Sequence, residues 1–409
     1  MRVLLVAHSC SPSGGSEARM SWQWVTHLAM KGIDVTALVN RADPTSPIDP
    51  RTAPLPEPIP PGNGPKFVDV EPPTLSRRLP VVVYTALDYQ GWQRRALRTA
   101  RSLHHDHPFD LVHHLSWASI HHGSWLNRLD APFVLGPVGG GTTASPGYKS
   151  CFPNSWRYEQ LRNGFVRTIR FNPFSRRLVH SASLILASNP ETETVLRRLG
   201  AKHVELMLDD GVDPDEMMTR PVVQSTSGPL RVLWVSRIME RKALGMALDA
   251  VQLASARCAI HLTLMGDGIP REIVADQLER MINDKLVTDR GWSSQAELED
   301  AYAHHDVLLF NSVRDNGSAP LHSASAYGMP AVVINHQGPG IITSPDWAVQ
   351  VPPTTTQQST EDIANALVEL AGNPTRRREM GTAALAAARR NTWPTRAAAM
   401  TALYHRVLR

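Results

Sequence analysis

The chain has 409 residues, 42% of them apolar and 20% charged, with 42 Lys and Arg against 38 Asp and Glu. That size and balance make it a globular protein of roughly two to three domains with substantial cores. The mild basic excess is spread along the chain, so it does not demand nucleic acid, while acidic small ligands suit it. Three cysteines, Cys10, Cys151 and Cys258, are odd in number and far apart, which gives neither a disulfide framework nor metal-ligand spacing and fits a reducing cytoplasm. No apolar run reaches the roughly 18 residues of a membrane span, although peripheral membrane contact stays open.

The opening MRVLLVAHS has too short an apolar part for a secretory leader and runs into Ser and Gly without a cleavage-like site, so it reads as a first strand. Strands are expected at Val3–Ala7, Val35–Val39, Phe67–Val70, Leu111–His113, Phe133–Leu135, Leu184–Ala187 and Val204–Met207. Between the first two, Ala18, Trp22, Val25 and Ala29 share one helical face, and strand–helix–strand order means a parallel unit. Gly14 and Gly15 stand where backbone can approach a ligand and where the helix from Ser16 offers unpaired N–H groups; a plain tight turn capped by Ser16 is the other reading. Residues 41–66 are too rich in proline for an element interior and read as a surface loop. Arg94, Arg95, Arg98 and Arg101 follow on a helix, where a solvated face is expected in preference to an anionic lipid contact.

A second start comes near residue 230. After a Ser-rich stretch, Arg231–Ser236 reads as a strand, Leu244, Ala247, Leu248 and Val251 as a helix face, and Ile260–Met265, Leu286–Thr288, Val307–Phe310 and Ala331–Ile334 as further strands. The expectation is an α/β protein of two Rossmann-like doubly wound domains: 1–212, a linker over 213–229, 230–390, and a C-terminal helix over 391–409. In that helix Trp393, Ala397, Met400, Leu403, Tyr404 and Val407 suit packing back onto the first domain.

The stretch 306–340 carries the most chemistry. An apolar strand leads into a polar turn with Asp315, Asn316, Gly317 and Ser318, then a small-residue helix and a second buried strand. The unpaired N–H groups at the start of that helix suit an anion such as a phosphate. Arg237 and Lys242, at the end of a strand and in the following turn, place two cations where they neutralise a diphosphate, or else are ordinary surface charges.

Taken in order, Gly14-Gly15-Ser16-Glu17, the segment Ser236 to Lys242, Gly266-Asp267-Gly268 and the segment Asp315 to Pro330 resemble the family 4 retaining glycosyltransferases of GT-B fold, over essentially the whole chain. The resemblance implies an acceptor-binding first domain, a second domain that binds a nucleotide sugar, and sugar transfer with retention to an acceptor hydroxyl, in natural-product or glycoconjugate biosynthesis. The nucleotide sugar is a co-substrate, so no cofactor is expected. It further implies the donor diphosphate at Arg237, Lys242, Gly14 and Gly15, and the acceptor and sugar near the loop Gly139, Gly140 and Gly141. Trp292 would stand by the nucleobase, with Asn316, Gly317 and Ser318 on the donor sugar and nucleoside.

The acidic motif departs from the family pattern. Two Glu separated by seven residues are expected; here Asp315 and Ser323 hold those places. Asp315 still suits the sugar, while Ser323 gives a weaker ribose contact, suits a 2′-deoxy donor with one hydroxyl fewer, or marks lost catalysis. His113 and His114 end a strand in a region where the family often carries a His, and His114 is taken with Asp315 as the catalytic pair; a buried, satisfied pair is the plainer reading. No Asp-x-Asp sits at a strand end, so metal-independent transfer is expected, with a small-molecule, glycan or lipid acceptor and no nucleic acid. A catalytically degenerate partner protein and a UDP-sugar epimerase of the same fold are the competing classes.

Overall fold

A computed structural model describes residues 1–43, 45–56, 59, 64–73, 81–219, 221 and 228–409. Parts of the Pro-rich 41–66 loop and of the 213–229 linker therefore lie outside the described residues. The chain divides into two units: Met1–Gly141 with Val166–Asp209 and Trp393–Arg409, and Thr142–Phe165 with Asp210–Thr392.

The first unit is built on seven parallel strands: β1 (Arg2–Ala7), β2 (Asp34–Val39), β3 (Lys66–Asp69), β4 (Leu111–Ser116), β5 (Phe133–Val138), β6 (Leu184–Ala187) and β7 (Val204–Leu206). Their order is β3-β2-β1-β4-β5-β6-β7, so the winding reverses between β1 and β4. Such a switch point opens a crevice at the carboxyl ends of those two strands. Val3, Leu4, Leu5 and Val6 are wholly buried because helices cover both faces of the sheet. Helix Ser16–Met30 buries Ala18, Trp22, Val25 and Ala29, the stripe read from the sequence. The C-terminal helix Trp393–Val407 belongs to this unit: Trp393 meets Trp24 edge to face at 5.3 Å, and the Tyr404 hydroxyl lies 2.5 Å from His113 Nδ1.

The second unit carries β8 (Leu230–Val235), β9 (Ile260–Met265), β10 (Val287–Gly291), β11 (Val307–Phe310), β12 (Ala331–Ile334) and β13 (Ala348–Val351), all parallel, in the order β10-β9-β8-β11-β12-β13. Its switch point lies between β8 and β11. Strand β13 was not expected, because four residues that include Gln350 give no apolar run. Residues 142–165 fall in this unit, whereas the sequence reading put them in the first domain. Tyr148 and Phe152 are buried in the same apolar cluster as Leu244 and Ala247, and the Tyr148 hydroxyl bonds Ser359 Oγ at 2.9 Å.

Candidate functional site

In the second unit the loops that leave β8 and β11 are laced together. Val313 N–H donates to the Arg241 carbonyl at 2.9 Å, Arg241 Nη1 donates to the Arg314 carbonyl at 3.0 Å, and Asn311 Nδ2 donates to the Ala243 carbonyl at 2.8 Å. Ala243 turns the chain with φ 51° into helix Leu244–Ser255. This lacing brings Lys242 and Asp315 together as a direct ion pair, and Arg241 Nη1 approaches the other carboxylate oxygen at 3.1 Å. The Lys242 ammonium also lies 4.7 Å from the Phe310 ring centroid.

Burial governs the electrostatics. It pulls the Lys242 ammonium below its usual pKa against the opposing pull of Asp315. Burial alone would raise Asp315, but Lys242 and Arg241 outweigh it and hold the carboxyl below its usual value. A second pair stands beside the first: Arg314 Nη2 meets the buried Glu159 carboxylate at 2.8 Å. Arg162, whose Nη1 donates to the Thr142 carbonyl at 2.6 Å, is brought down to about 10 by burial and by the Arg314 charge. Among the described residues Arg162, Arg241, Lys242 and Arg314 thus share Glu159 and Asp315, which leaves a surplus of positive charge. Arg237, two residues past the end of β8, lies outside this network and is exposed.

Asp315 N–H donates to Gln337 Oε1 at 2.8 Å, and Gln337 Nε2 donates to the Thr143 carbonyl at 2.9 Å. Asn316 Oδ1 accepts from Thr142 Oγ1 at 3.2 Å. Past Gly317, Ser318 precedes helix Ala319–Ala326, and its hydroxyl is buried without a hydrogen-bond partner among the described residues. The Ser323 hydroxyl on that helix is bonded to the buried Tyr302 phenol. Trp292, just after β10, is 78% exposed, which leaves its indole free to stack.

In the first unit, Gly14 takes φ 109°, and an added Cβ would stand 2.4 Å from the Thr45 carbonyl oxygen; Gly15 N–H donates to that oxygen at 3.2 Å. This fixes the turn into helix Ser16–Met30. Trp117 N–H donates to the Tyr89 hydroxyl oxygen at 2.7 Å, and that hydroxyl shares a hydrogen bond with His114 Nε2 at 3.2 Å. Burial lowers the His114 pKa to about 3, so the ring is neutral. His113 is held between Tyr404 and the Gly136 carbonyl. In the glycine run, Gly139 N–H donates to the Ala118 carbonyl at 3.0 Å, Gly140 takes φ 110° beside His121, and a Cβ on Gly141 would stand 2.5 Å from Thr192 Cα.

Residues 14–208 match the model of the glycosyl transferase 4-like domain, and residues 229–373 match that of the glycosyl transferases group 1. The chain belongs to the family 4 glycosyltransferases of GT-B fold. The transferase is 26% identical over 176 residues to WcaL of Escherichia coli K12, named as a colanic acid biosynthesis glycosyltransferase; that stretch is 41% of this chain and 43% of WcaL. Among solved structures it is similar to a sucrose-phosphate synthase from Thermosynechococcus elongatus (TM-score 0.68, 18% identity, 100% of this chain and 99% of that one). It is also similar to Anabaena HepE in complex with UDP (TM-score 0.63, 15% identity, 99% and 100%). At such identities these structures speak for the fold.

The sequence reading paired Lys242 with Arg237; the structure adds Arg241 as the residue that shares Asp315. Arg162 and Glu159 come from a segment that carried no functional signal. Glu17 was noted in the transferase's first glycine motif but given no role; its Oε1 accepts from Ala118 N–H at 2.8 Å. Burial, with the charges of Asp43 and Asp209 added, raises its carboxyl from the usual 4.5 to about 7. Folded, Glu17 keeps a proton that the unfolded chain releases, so stability is full below about 4.5 and is lost as pH rises through about 7. Glu17→Gln removes that loss. Thermal unfolding should show the variant gaining on the wild type by on the order of 2 kcal/mol between pH 5 and pH 8, and a pH-independent difference would contradict the assignment.

Among the described residues no helix is long and apolar enough to cross a membrane, and no group of three or more His, Cys, Asp or Glu is placed to hold a metal ion.

Proposed function

We propose that the transferase moves a sugar with retention from a nucleoside-diphosphate donor bound in its second unit to an acceptor hydroxyl. The observation that carries this is the positive surplus at Lys242, Arg241, Arg314 and Arg162, set at the carboxyl ends of β8 and β11 beside the start of helix Ala319–Ala326. As the bond from the anomeric carbon to the phosphate oxygen breaks, negative charge gathers on the diphosphate. In this reading Lys242 and the N–H groups of that helix meet it, and the exposed Arg237 adds a further cation from the same loop. These fixed charges supply the neutralisation that a divalent ion gives elsewhere, and transfer is accordingly metal-independent. The acceptor oxygen forms the new bond on the face the diphosphate leaves, and its proton passes to the departing phosphate oxygen.

Asp315 supports this chemistry by keeping Lys242 charged where burial would favour the neutral amine, and it presents a carboxylate to the sugar hydroxyls. We assign the neutral, enclosed His114 to holding Tyr89 and the Trp117 turn in place of proton transfer. The loop Gly139, Gly140 and Gly141 takes the acceptor and sugar in this reading, Gly14 and Gly15 approach the donor diphosphate, and the reaction belongs to glycoconjugate or natural-product assembly in the cytoplasm. Proton NMR of the product made from an α-linked donor decides the stereochemistry. An α-linked product is expected, and a β-linked one would overturn retention.

A second reading concerns the donor. Ser323 stands where the family has a ribose-binding carboxylate, and its hydroxyl is engaged by Tyr302. A 2′-deoxy nucleotide, with one hydroxyl fewer to satisfy, loses least from that exchange. The HepE structures hold UDP and UDP-glucose, which favours a uridine donor on the shared fold. Direct competition between UDP and dTDP separates the two.

A further inference from the structure

One face of the first unit combines exposed aromatic rings with unopposed positive charge. In the turn Ile169–Phe171 and the helix Pro173–Ser181, Ile169, Ser175, Leu178 and Val179 point into the core. Phe171 and Phe174 point out, 70% and 72% exposed. Rings so exposed forgo most of the burial free energy that a phenylalanine offers. The outward setting is built in: the Asn172 side chain accepts from the N–H groups of Phe174 and Ser175 at 2.9 and 3.4 Å, which fixes the corner between the two rings.

Along the segment that carries these rings the charge has one sign. Arg167, Arg170, Arg176 and Arg177 are all exposed, and no Asp or Glu occurs from residue 160 to residue 190. The Arg170 guanidinium lies 4.7 Å from the Phe171 ring centroid, which sets ring and cation side by side. Phe174 and Arg177 also border a cavity of about 320 Å³ where Arg94 and Arg128 stack on the Trp125 indole at 4.7 and 4.1 Å. Stacking occupies the guanidinium faces and leaves their N–H edges to donate, the arrangement that binds phosphate oxygens. No Asp or Glu among the described residues lines that cavity.

We propose that this face docks on an anionic lipid bilayer, with Phe171 and Phe174 at the boundary between headgroups and acyl chains and Arg170, Arg176 and Arg177 on lipid phosphates. Charge selects the occupant. A second copy of this chain would set two arginine-rich faces against each other, and an uncharged apolar partner would leave the guanidiniums without counter-ions, whereas a bilayer supplies phosphates and an apolar layer at the matching depth. Arg94 and Arg128 extend the basic surface to the cavity and offer a second phosphate seat. The inference does not depend on donor chemistry, since it concerns a surface formed within the first unit and is measured without any transfer reaction.

The test is co-sedimentation of the full chain with vesicles of phosphatidylcholine alone and of phosphatidylcholine with phosphatidylglycerol, at low and at raised salt. The wild type should bind the anionic vesicles only, and raised salt should release it. Phe171→Ser/Phe174→Ser should weaken the partition about tenfold. In Arg170→Gln/Arg176→Gln/Arg177→Gln each lost charge should weaken it about fivefold. All five side chains are exposed, so both variants should keep the wild-type melting temperature; should either lose its fold, the lipid and salt comparisons on the wild type still decide. No binding to anionic vesicles, equal binding to both vesicle types, or binding kept by both variants overturns the proposal. A wild type that ignores vesicles but self-associates, and becomes monomeric in the phenylalanine variant, also overturns it and gives the face to a second copy.

Discussion

Lys242→Ala should lower turnover with a nucleotide-sugar donor by about 10²–10³ and raise the donor KM by a smaller factor. In the wild type the ammonium is bonded to Asp315 and held charged against burial. Alanine removes the cation proposed to face the leaving diphosphate and leaves the Asp315 carboxylate paired with Arg241, so the positive surplus that draws the diphosphate falls by one charge. The greater part of the loss falls on kcat, because negative charge on the diphosphate grows as the sugar departs. Lys242→Arg should recover part of the rate, since a guanidinium restores the charge without the ammonium's compact geometry. Steady-state kinetics checks this with the melting temperature measured alongside, and a Lys242→Ala enzyme within threefold of wild-type kcat/KM would remove the diphosphate from this site.

Gly338→Ala should cost about 1–3 kcal/mol of stability and abolish most donor binding. A Cβ on Gly338 would stand 1.8 Å from the Asn316 carbonyl oxygen and 2.4 Å from its carbon. Both are backbone atoms of the loop that carries Asp315, so no side-chain rotation relieves the clash. Relief requires the loop to move, and that breaks the 2.8 Å bond from Asp315 N–H to Gln337 and shifts Asp315 away from Lys242. Gly372→Ala is the control, because nothing lies within 4 Å of its added Cβ. Circular dichroism melting and nucleotide titration of both variants read the two effects separately. Equal behaviour would mean that the Gly338 contact does not set the loop.

The strands were legible because parallel strands covered on both faces must be continuous apolar runs, as in Val307–Phe310 and Ala331–Ile334. β13 was not, since Gln350 interrupts its short run and bonds the Gly340 and Thr343 carbonyls. Residues 142–165 escaped because Tyr148 and Phe152 are buried from short helical turns that carry no period. Within the site, Asp315 and Lys242 were visible as residue types at strand ends. That Arg241 shares Asp315 depends on which neighbouring cation the turn before Ala243 directs inward, a matter of backbone geometry. The bond from Ser323 to Tyr302 joins two helices, and no local pattern reports it. The two histidines were equal on paper; the distant Tyr404 claims one and Tyr89 the other.

The most direct measurement of the central claim is calorimetric titration of UDP, GDP, ADP and dTDP into the wild type, Lys242→Ala and Arg237→Ala. Binding of one nucleotide by the wild type, weakened at least tenfold in Lys242→Ala, is the predicted result, with a preference for dTDP over UDP assigning a deoxy donor to Ser323. A wild type that binds none of the four, or binds one with the same affinity in both variants, would contradict a donor site built on Lys242 and Asp315.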